Sequence, residues 1–451
     1  MMPEVTARAA ALACGVIAAA GFGAAGGAAT GAGNAIVAGA SAMPAERFSA
    51  SYRHPAIEYG TGSRTDRVAQ LHARLRAGAS LRFDRRQGFL PAVLDALDVP
   101  VESQTLVFSK TSLQAGSIGP ANPRAIYFTD DVAVAWIRGS PAIELAALDP
   151  RQGVMFYALV QRAPARGFER PRSCLECHVS AATLGVPGLA VGSAVIDPAG
   201  APYASIPVDH RTAIESRWGG WYVTGRTGVG RHVGNTVARD PEQPLLLHDD
   251  ANFNLSSVAG RFDVNDYPTP YSDIAALMVL EHQTHMTNLL VRTGWEFRVA
   301  AHERRAARGL FATPERGAGD PTLDRAVREL VDYLLFVDEA PLTDRMVGTS
   351  GFAEVFEARG PFDRRGRTLR EIALERRLFR YPCSYLIYSA AFDALPPDAR
   401  AAIYRRMWQV LSGSDRDPRY ARLSRRDRQD IVDILRDTKP EVAPYFAGRV
   451  R

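Results

Sequence analysis

Two cysteines and a histidine stand close together near the middle of the chain. Cys174 and Cys177 are three residues apart, and His178 follows the second cysteine directly, which gives the pattern C-x-x-C-H. Two thiols at this spacing lie on one turn of backbone, where each can form a thioether with a vinyl group of a haem. The adjacent histidine then lies under the iron as its axial ligand. The pattern predicts one covalently attached haem c.

Two other chemistries also use closely spaced cysteines, namely a disulfide redox centre and a zinc site. A thioredoxin-like C-x-x-C follows a strand and begins a helix, but here Arg-Pro-Arg-Ser precedes the motif and Gly185 and Pro187 follow it closely. A zinc site needs a second pair of ligands, and only His282 with His285, far along the chain, offers one. Haem attachment needs neither of these further features.

The function of a haem depends on the group at the opposite, distal side of its iron. His282 and His285 lie in a predicted helix, where residues three and four apart share a face, so either imidazole is a candidate distal ligand. His285 is preferred, because Glu281 stands four residues before it and its carboxylate can orient the ring. His210, which follows a predicted strand, is a weaker candidate. An open distal position is the alternative.

The first 42 residues differ from the rest of the chain. Arg8 is followed by a short apolar run, a stretch rich in Gly and Ala, and small residues up to Ala42. This order is typical of a secretory signal peptide over 1–42, with a retained anchor as the alternative. Later residues contain no apolar run of about 18 residues, so no membrane span is expected after leader cleavage.

Composition limits the class of protein. The chain has 451 residues, of which 46% are hydrophobic and 23% charged, as in globular proteins. Its net charge of +5 is spread along the whole length, whereas nucleic-acid binding needs clustered positive charge, so no nucleic acid is expected as a partner. Four cysteines are too few for a disulfide scaffold.

The pattern of apolar residues predicts an α+β fold with three parts after the leader. They are a mixed α/β N-terminal domain at 43–165, a β-rich haem-attachment segment at 166–270 and a mainly helical C-terminal domain at 271–451. Trp218, Trp221 and Cys383 are expected to be buried. Strands are predicted at 106–108, 126–128, 132–137, 154–160, 189–196, 203–208 and 217–225. Helices are predicted at 68–75, 89–97, 274–292, 321–336, 368–380, 383–394, 398–412 and 425–436.

The haem motif makes the chain resemble c-type cytochromes, although this resemblance covers only five residues. Small soluble cytochromes c take a methionine ligand from a loop after the haem helix, and here no methionine occurs between Met155 and Met278. A typical small cytochrome c fold is therefore not expected. Over most of its length the chain resembles large exported bacterial monohaem c-type proteins without an assigned reaction, through 106–112, 123–128, 217–225 and 380–388. The resemblance implies a shared architecture and haem attachment outside the cytoplasm, and it supplies no activity.

Three functions agree with these features. The protein could transfer electrons to a periplasmic redox partner protein, act as a peroxidase-like haem oxidoreductase with an open distal site, or serve as a haem-based redox or ligand sensor. The length argues against a simple electron shuttle, since such a carrier needs only a small domain. No acid or base beside the haem can be named from the sequence, however, so periplasmic electron transfer is the predicted function.

Overall fold

The computed structural model describes residues 47–238, 249–310 and 319–450, and the leader predicted over 1–42 lies outside these ranges. Helices and an antiparallel sheet are both present, so the predicted α+β class is confirmed. Within the described ranges, no helix is both long enough and apolar enough to cross a membrane.

A six-stranded antiparallel sheet forms the N-terminal half, with strand order β5-β4-β3-β2-β1-β8. Its side chains alternate between a buried face and a half-exposed face. In β3, for example, Val132 and Val134 are buried whereas Ala133 and Ala135 are half-buried, as expected for strand geometry. A separate ribbon pairs β6 with β7. The strands are β1 Thr105–Val107, β2 Arg124–Phe128, β3 Val132–Trp136, β4 Ala142–Asp149, β5 Gly153–Val160, β6 Val191–Ile196, β7 Pro202–Val208 and β8 Trp221–Tyr222.

Most of the predicted strands are confirmed, with two differences. β4 was not expected, and it lies between β3 and β5 with both of its edges paired. The strand predicted at 217–225 is reduced to β8, because a turn closed by the bond from the Trp221 amide to the Trp218 carbonyl (3.0 Å) precedes it. Trp218 and Trp221 are 0% and 4% exposed, so their predicted burial is confirmed.

Helices flank the sheet and make up most of the described chain after residue 273. Short helices α1 and α2 pack against the buried face of the sheet. Helices α5 to α8 pack against α4, and α9 packs against α8. The helices are α1 Arg67–Arg76, α2 Leu90–Ala96, α3 Cys174–His178, α4 Ile274–Leu310, α5 Pro321–Leu334, α6 Phe352–Glu357, α7 Ala390–Asp393, α8 Pro397–Leu411 and α9 Arg425–Thr438.

Of the six helices predicted for the C-terminal part, four are present, one is divided and one is wrong; α4 contains the segment 274–292. Helices α5, α8 and α9 confirm the segments at 321–336, 398–412 and 425–436. The segment 383–394 is divided between a 3-10 turn at Tyr385–Tyr388 and α7. The segment 368–380 is not helical, because side-chain carboxylates bind the Ile372 and Leu378 amides at 2.8 Å, in place of helical carbonyls. Cys383 is buried as predicted.

The long helix α4 is the centre of the fold. It continues well past the end predicted near residue 292, and its first turns are buried on nearly every side. Asp273, buried in front of the helix, caps it by accepting from the Ala275 amide at 2.7 Å. The other carboxylate oxygen of Asp273 accepts from the Thr349 and Ser350 amides at 2.6 and 2.8 Å. One side chain thus joins the start of α4 to a distant loop.

Replacing Asp273 by Ala should lower the free energy of unfolding by about 2–4 kcal/mol, because the helix and loop amides lose their shared buried acceptor. Urea unfolding would measure this difference. Asp320→Ala is the control, since Asp320 caps α5 through one exposed bond to the Thr322 amide at 3.0 Å. That variant should lose only about 1 kcal/mol. Equal losses in both variants would contradict the double role of Asp273.

Candidate functional site

The residues predicted to attach haem lie together on α3, a helix of a single turn. Cys174 and His178 are half-buried and Cys177 is exposed. Cys174 is three residues before Cys177 and four before His178, so it shares a side of the turn with each of them, whereas the adjacent Cys177 and His178 diverge around the helix axis. Both of these cysteines are free thiols. Burial raises the pKa of the Cys174 thiol to about 11.

His178 is held in one orientation, and its burial favours the neutral ring. Its Nδ1 lies 2.8 Å from the Gly188 carbonyl oxygen, to which it donates in the neutral tautomer. Burial lowers the pKa of His178, so the ring is neutral at pH 7. The ring also packs on Phe156 of β5, with ring centroids 4.5 Å apart. No described residue hydrogen-bonds to Nε2, so this nitrogen keeps the lone pair that a metal would bind.

The loop that orients His178 is fixed by α4. Asn288 on α4 is fully buried; its Nδ2 donates to the Leu189 carbonyl at 2.7 Å and its Oδ1 accepts from the Leu189 amide at 3.3 Å. Gly188 approaches the helix so closely that a Cβ there would lie 2.0 Å from Asn288 Oδ1. Glycine is therefore required at position 188, the residue whose carbonyl orients His178.

A half-exposed row of side chains on the sheet lies beside the attachment turn. We call it the outer row, and it consists of Ile126, Ala135, Glu144 and Ala158, which face one another across β2, β3, β4 and β5. Arg124 of β2 binds Glu144, with its guanidinium nitrogen 3.2 Å from Oε2. This pair was not predicted from the sequence, where the available signal was a charged residue at an outward position of a strand.

The candidate ligands His210 and His282 lie against each other in a separate buried cluster. Their Nδ1 atoms are 2.8 Å apart, and His282 Nε2 is 2.7 Å from the Ser384 hydroxyl. His210 stacks on Tyr333 at 4.0 Å, and its Nε2 is buried with no partner among the described residues. Both ring nitrogens of His282 are thus committed to protein groups, and His210 Nε2 is enclosed by packing.

His285 is the least buried of the three candidate distal ligands. Its side chain is 15% exposed, and its Nε2 lies 3.2 Å from the guanidinium of Arg211, which donates to it. Burial lowers the pKa of His285 to about 4, so the ring is neutral at pH 7. Across the described ranges, no hydrogen bond or ring contact joins His178 to His210, His282 or His285.

The predicted role of Glu281 as the acceptor that orients His285 is wrong. Glu281 binds Arg217 instead, at 3.0 Å, and both side chains are almost completely buried. Arg217 also donates to the His210 carbonyl at 3.0 Å, so this ion pair fixes the loop that carries His210. The acidic group nearest to His285 is Asp209, whose Oδ2 lies 3.8 Å from Nδ1 of His285. Helical spacing placed Glu281 and His285 near each other but did not reveal this competing partner.

Neither a metal-binding group nor a similar known protein identifies the function of the site. The described residues contain no group of three or more His, Cys, Asp or Glu side chains arranged to hold a metal ion. Searches against protein-family models, curated proteins and solved structures also find no match to the chain. The function is therefore argued from the attachment turn and its surroundings.

The buried His282 should make stability depend on pH. Burial lowers its pKa to about 3, whereas an unfolded histidine has a pKa near 6.5. Between these values the unfolded state binds the proton and the folded state does not, so stability falls as the pH falls. His282→Phe should reduce this slope by about 1.4 kcal/mol per pH unit between pH 4 and 6, measured by urea unfolding.

Ser384→Ala provides the control for this prediction. It removes the partner of His282 Nε2 but keeps the imidazole, so the slope should stay close to that of the unchanged protein. A slope that is the same in His282→Phe and in the unchanged protein would show that His282 is not the titrating group.

Proposed function

We propose that this chain is an exported c-type haem protein with one haem, attached through Cys174 and Cys177 and ligated at the iron by His178. One observation carries the proposal: a single helical turn presents two free thiols and a neutral imidazole whose Nε2 has no partner among the described residues. These are the three groups that covalent attachment and axial ligation require. A disulfide or zinc centre would not require an adjacent histidine oriented in this way.

Each side chain of the site has a defined task in this proposal. When bound, the haem supplies reversible one-electron oxidation and reduction of its iron. Cys174 and Cys177 hold the group covalently, and His178 directs Nε2 towards it. The Gly188 carbonyl fixes the tautomer of His178 and increases the basicity of the ring. Phe156 packs on the imidazole and limits its rotation.

Electron transfer with a periplasmic redox partner protein is the proposed role. Support comes from the exposed Cys177, which places the attachment turn at the surface, where a partner can approach. The proposal includes export by the predicted leader and the resemblance to large exported monohaem c-type proteins. It also includes the predicted three-part layout, which differs from the small cytochrome c fold.

Changing both Cys174 and Cys177 to Ala should abolish covalent haem attachment. The protein would be expressed with its leader in a host that has cytochrome maturation machinery, then purified and extracted with acidified acetone. Haem colour should stay with the unchanged protein and be lost from the double variant, because thioether bonds resist extraction.

Cys383→Ala is the matched control, since it removes the buried third thiol and leaves the motif intact. It should retain the covalent haem. An unchanged protein without Soret absorbance, or one that releases all its colour in acidified acetone, would overturn the proposed function.

The second axial ligand separates electron transfer from the alternatives. Among the candidates, His285 alone is partly exposed. Its Nε2 accepts from the Arg211 guanidinium at 3.2 Å, and this guanidinium would have to release the nitrogen before the iron could bind it. We propose His285 as the distal ligand. The contacts of His282 with His210 and Ser384 argue against either of those histidines as the ligand, so an open iron position is the alternative to ligation by His285. An open position would suit a peroxidase-like oxidoreductase or a ligand sensor.

Optical spectra of the holoprotein should distinguish these functions. With His285 as ligand, the unchanged protein should be low-spin and insensitive to carbon monoxide, and His285→Ala should become high-spin and bind carbon monoxide. His282→Ala and His210→Ala are controls that should remain low-spin. A high-spin unchanged protein that shifts with carbon monoxide would overturn the assignment of His285 and support the oxidoreductase or sensor.

A further inference from the structure

An ion pair on the sheet lies close to the attachment turn and is only partly exposed to solvent. The guanidinium of Arg124 is 3.2 Å from a carboxylate oxygen of Glu144, and the two side chains are 18% and 28% exposed. The Ser112 hydroxyl donates to the same carboxylate at 3.3 Å. Charges in such a position interact more strongly with their neighbours than charges in open water do.

The sheet register places this pair near His178. Phe156, whose ring contacts His178, faces Ala146 across β4 and β5, and Glu144 is two residues from Ala146 on the same face of the sheet. Diagonal neighbours of this kind are about 7–8 Å apart. Glu144 therefore lies one step along the sheet from the residue that supports the imidazole. Arg124, on β2, is farther from Phe156, and its guanidinium reaches across to Glu144.

The charges of the pair already act on the imidazole in opposite directions. Burial is the main cause that lowers the pKa of His178, Arg124 lowers this pKa further, and Glu144 raises it. Glu144 also raises the pKa of Cys174, after the larger effect of burial. The packing agrees with this proximity, because Ala146 and Phe156 belong to one apolar cluster against which the partly buried Cys174 packs.

We infer that Arg124 and Glu144 form the charged wall of the haem site and set the reduction potential of the iron with opposite signs. This inference rests on the proposed function. Oxidation adds positive charge at the iron, so a nearby carboxylate stabilises the oxidised form and a nearby guanidinium stabilises the reduced form. Neither residue needs to touch the iron, so both are positioning residues rather than ligands.

Potentiometric titration of the purified holoprotein, followed by its visible spectrum, tests the inference. Glu144→Gln should raise the midpoint potential because it removes the negative charge, and Arg124→Gln should lower it because it removes the positive charge. Arg124→Lys keeps the charge and should stay close to the unchanged protein. The haem content of every variant is measured from its Soret absorbance and pyridine haemochrome before titration.

A second ion pair of similar exposure gives the matched control. Arg406 and Asp415 lie 2.7 Å apart and are 14% and 22% exposed, and their hydrogen-bond partners lie within 406–420. Arg406→Gln and Asp415→Asn make the same changes of charge and should leave the potential unchanged.

The outcomes separate this inference from the proposed function. Opposite shifts in the two sheet variants, with unshifted controls, support the inference. Covalent haem in all variants with no shifts, or with shifts of the same sign, would overturn it and leave haem binding intact. Absence of covalent haem from the unchanged protein would overturn both. If Glu144→Gln fails to fold, Arg124→Gln against Arg124→Lys still decides the sign.

Discussion

Helix α4 carries polar side chains into the interior, and several of them bind partners on other elements there. A buried polar group without a partner costs more free energy than a typical hydrogen bond contributes, so neighbouring elements must approach the helix at defined points. Gln283 binds the Thr129 carbonyl next to the sheet, at 2.6 Å, and Asn288 binds the loop after α3. Glu281 binds Arg217 in the loop between β7 and β8. The sheet, the attachment turn and the histidine cluster are positioned by this one requirement.

This dependence explains how the site combines residues that are far apart in sequence. The thiols and imidazole of α3 are local, and their arrangement follows from one helical turn. The orientation of His178 is not local, because the Gly188 carbonyl that fixes it is itself held by Asn288 on α4. The surface beside His178 comes from the sheet, through Phe156. A local motif thus obtains its geometry from two other elements of the fold.

Much of the fold could be predicted from local patterns, and the failures have physical causes. Strands with alternating β-branched or aromatic residues were found, whereas β4 is rich in Ala and Leu, which favour helix, and becomes a strand because both of its edges are paired. The segment 368–380 has helical composition, but carboxylates from distant elements bind its amides. The same limit applies to the site: helical spacing suggested a contact between Glu281 and His285, and only the tertiary structure reveals Arg217.

The burial of Cys383 divides the three described thiols into two groups. Cys174 and Cys177 lie on a turn at the surface, whereas Cys383 is completely enclosed and burial raises its pKa further. Thiolates, rather than thiols, exchange with disulfides, so an enclosed thiol with a raised pKa reacts slowly. Once the chain has folded, Cys383 is therefore slow to form disulfide bonds with the two surface thiols. In an oxidising compartment, the folded structure would then prevent Cys383 from forming a disulfide with Cys174 or Cys177.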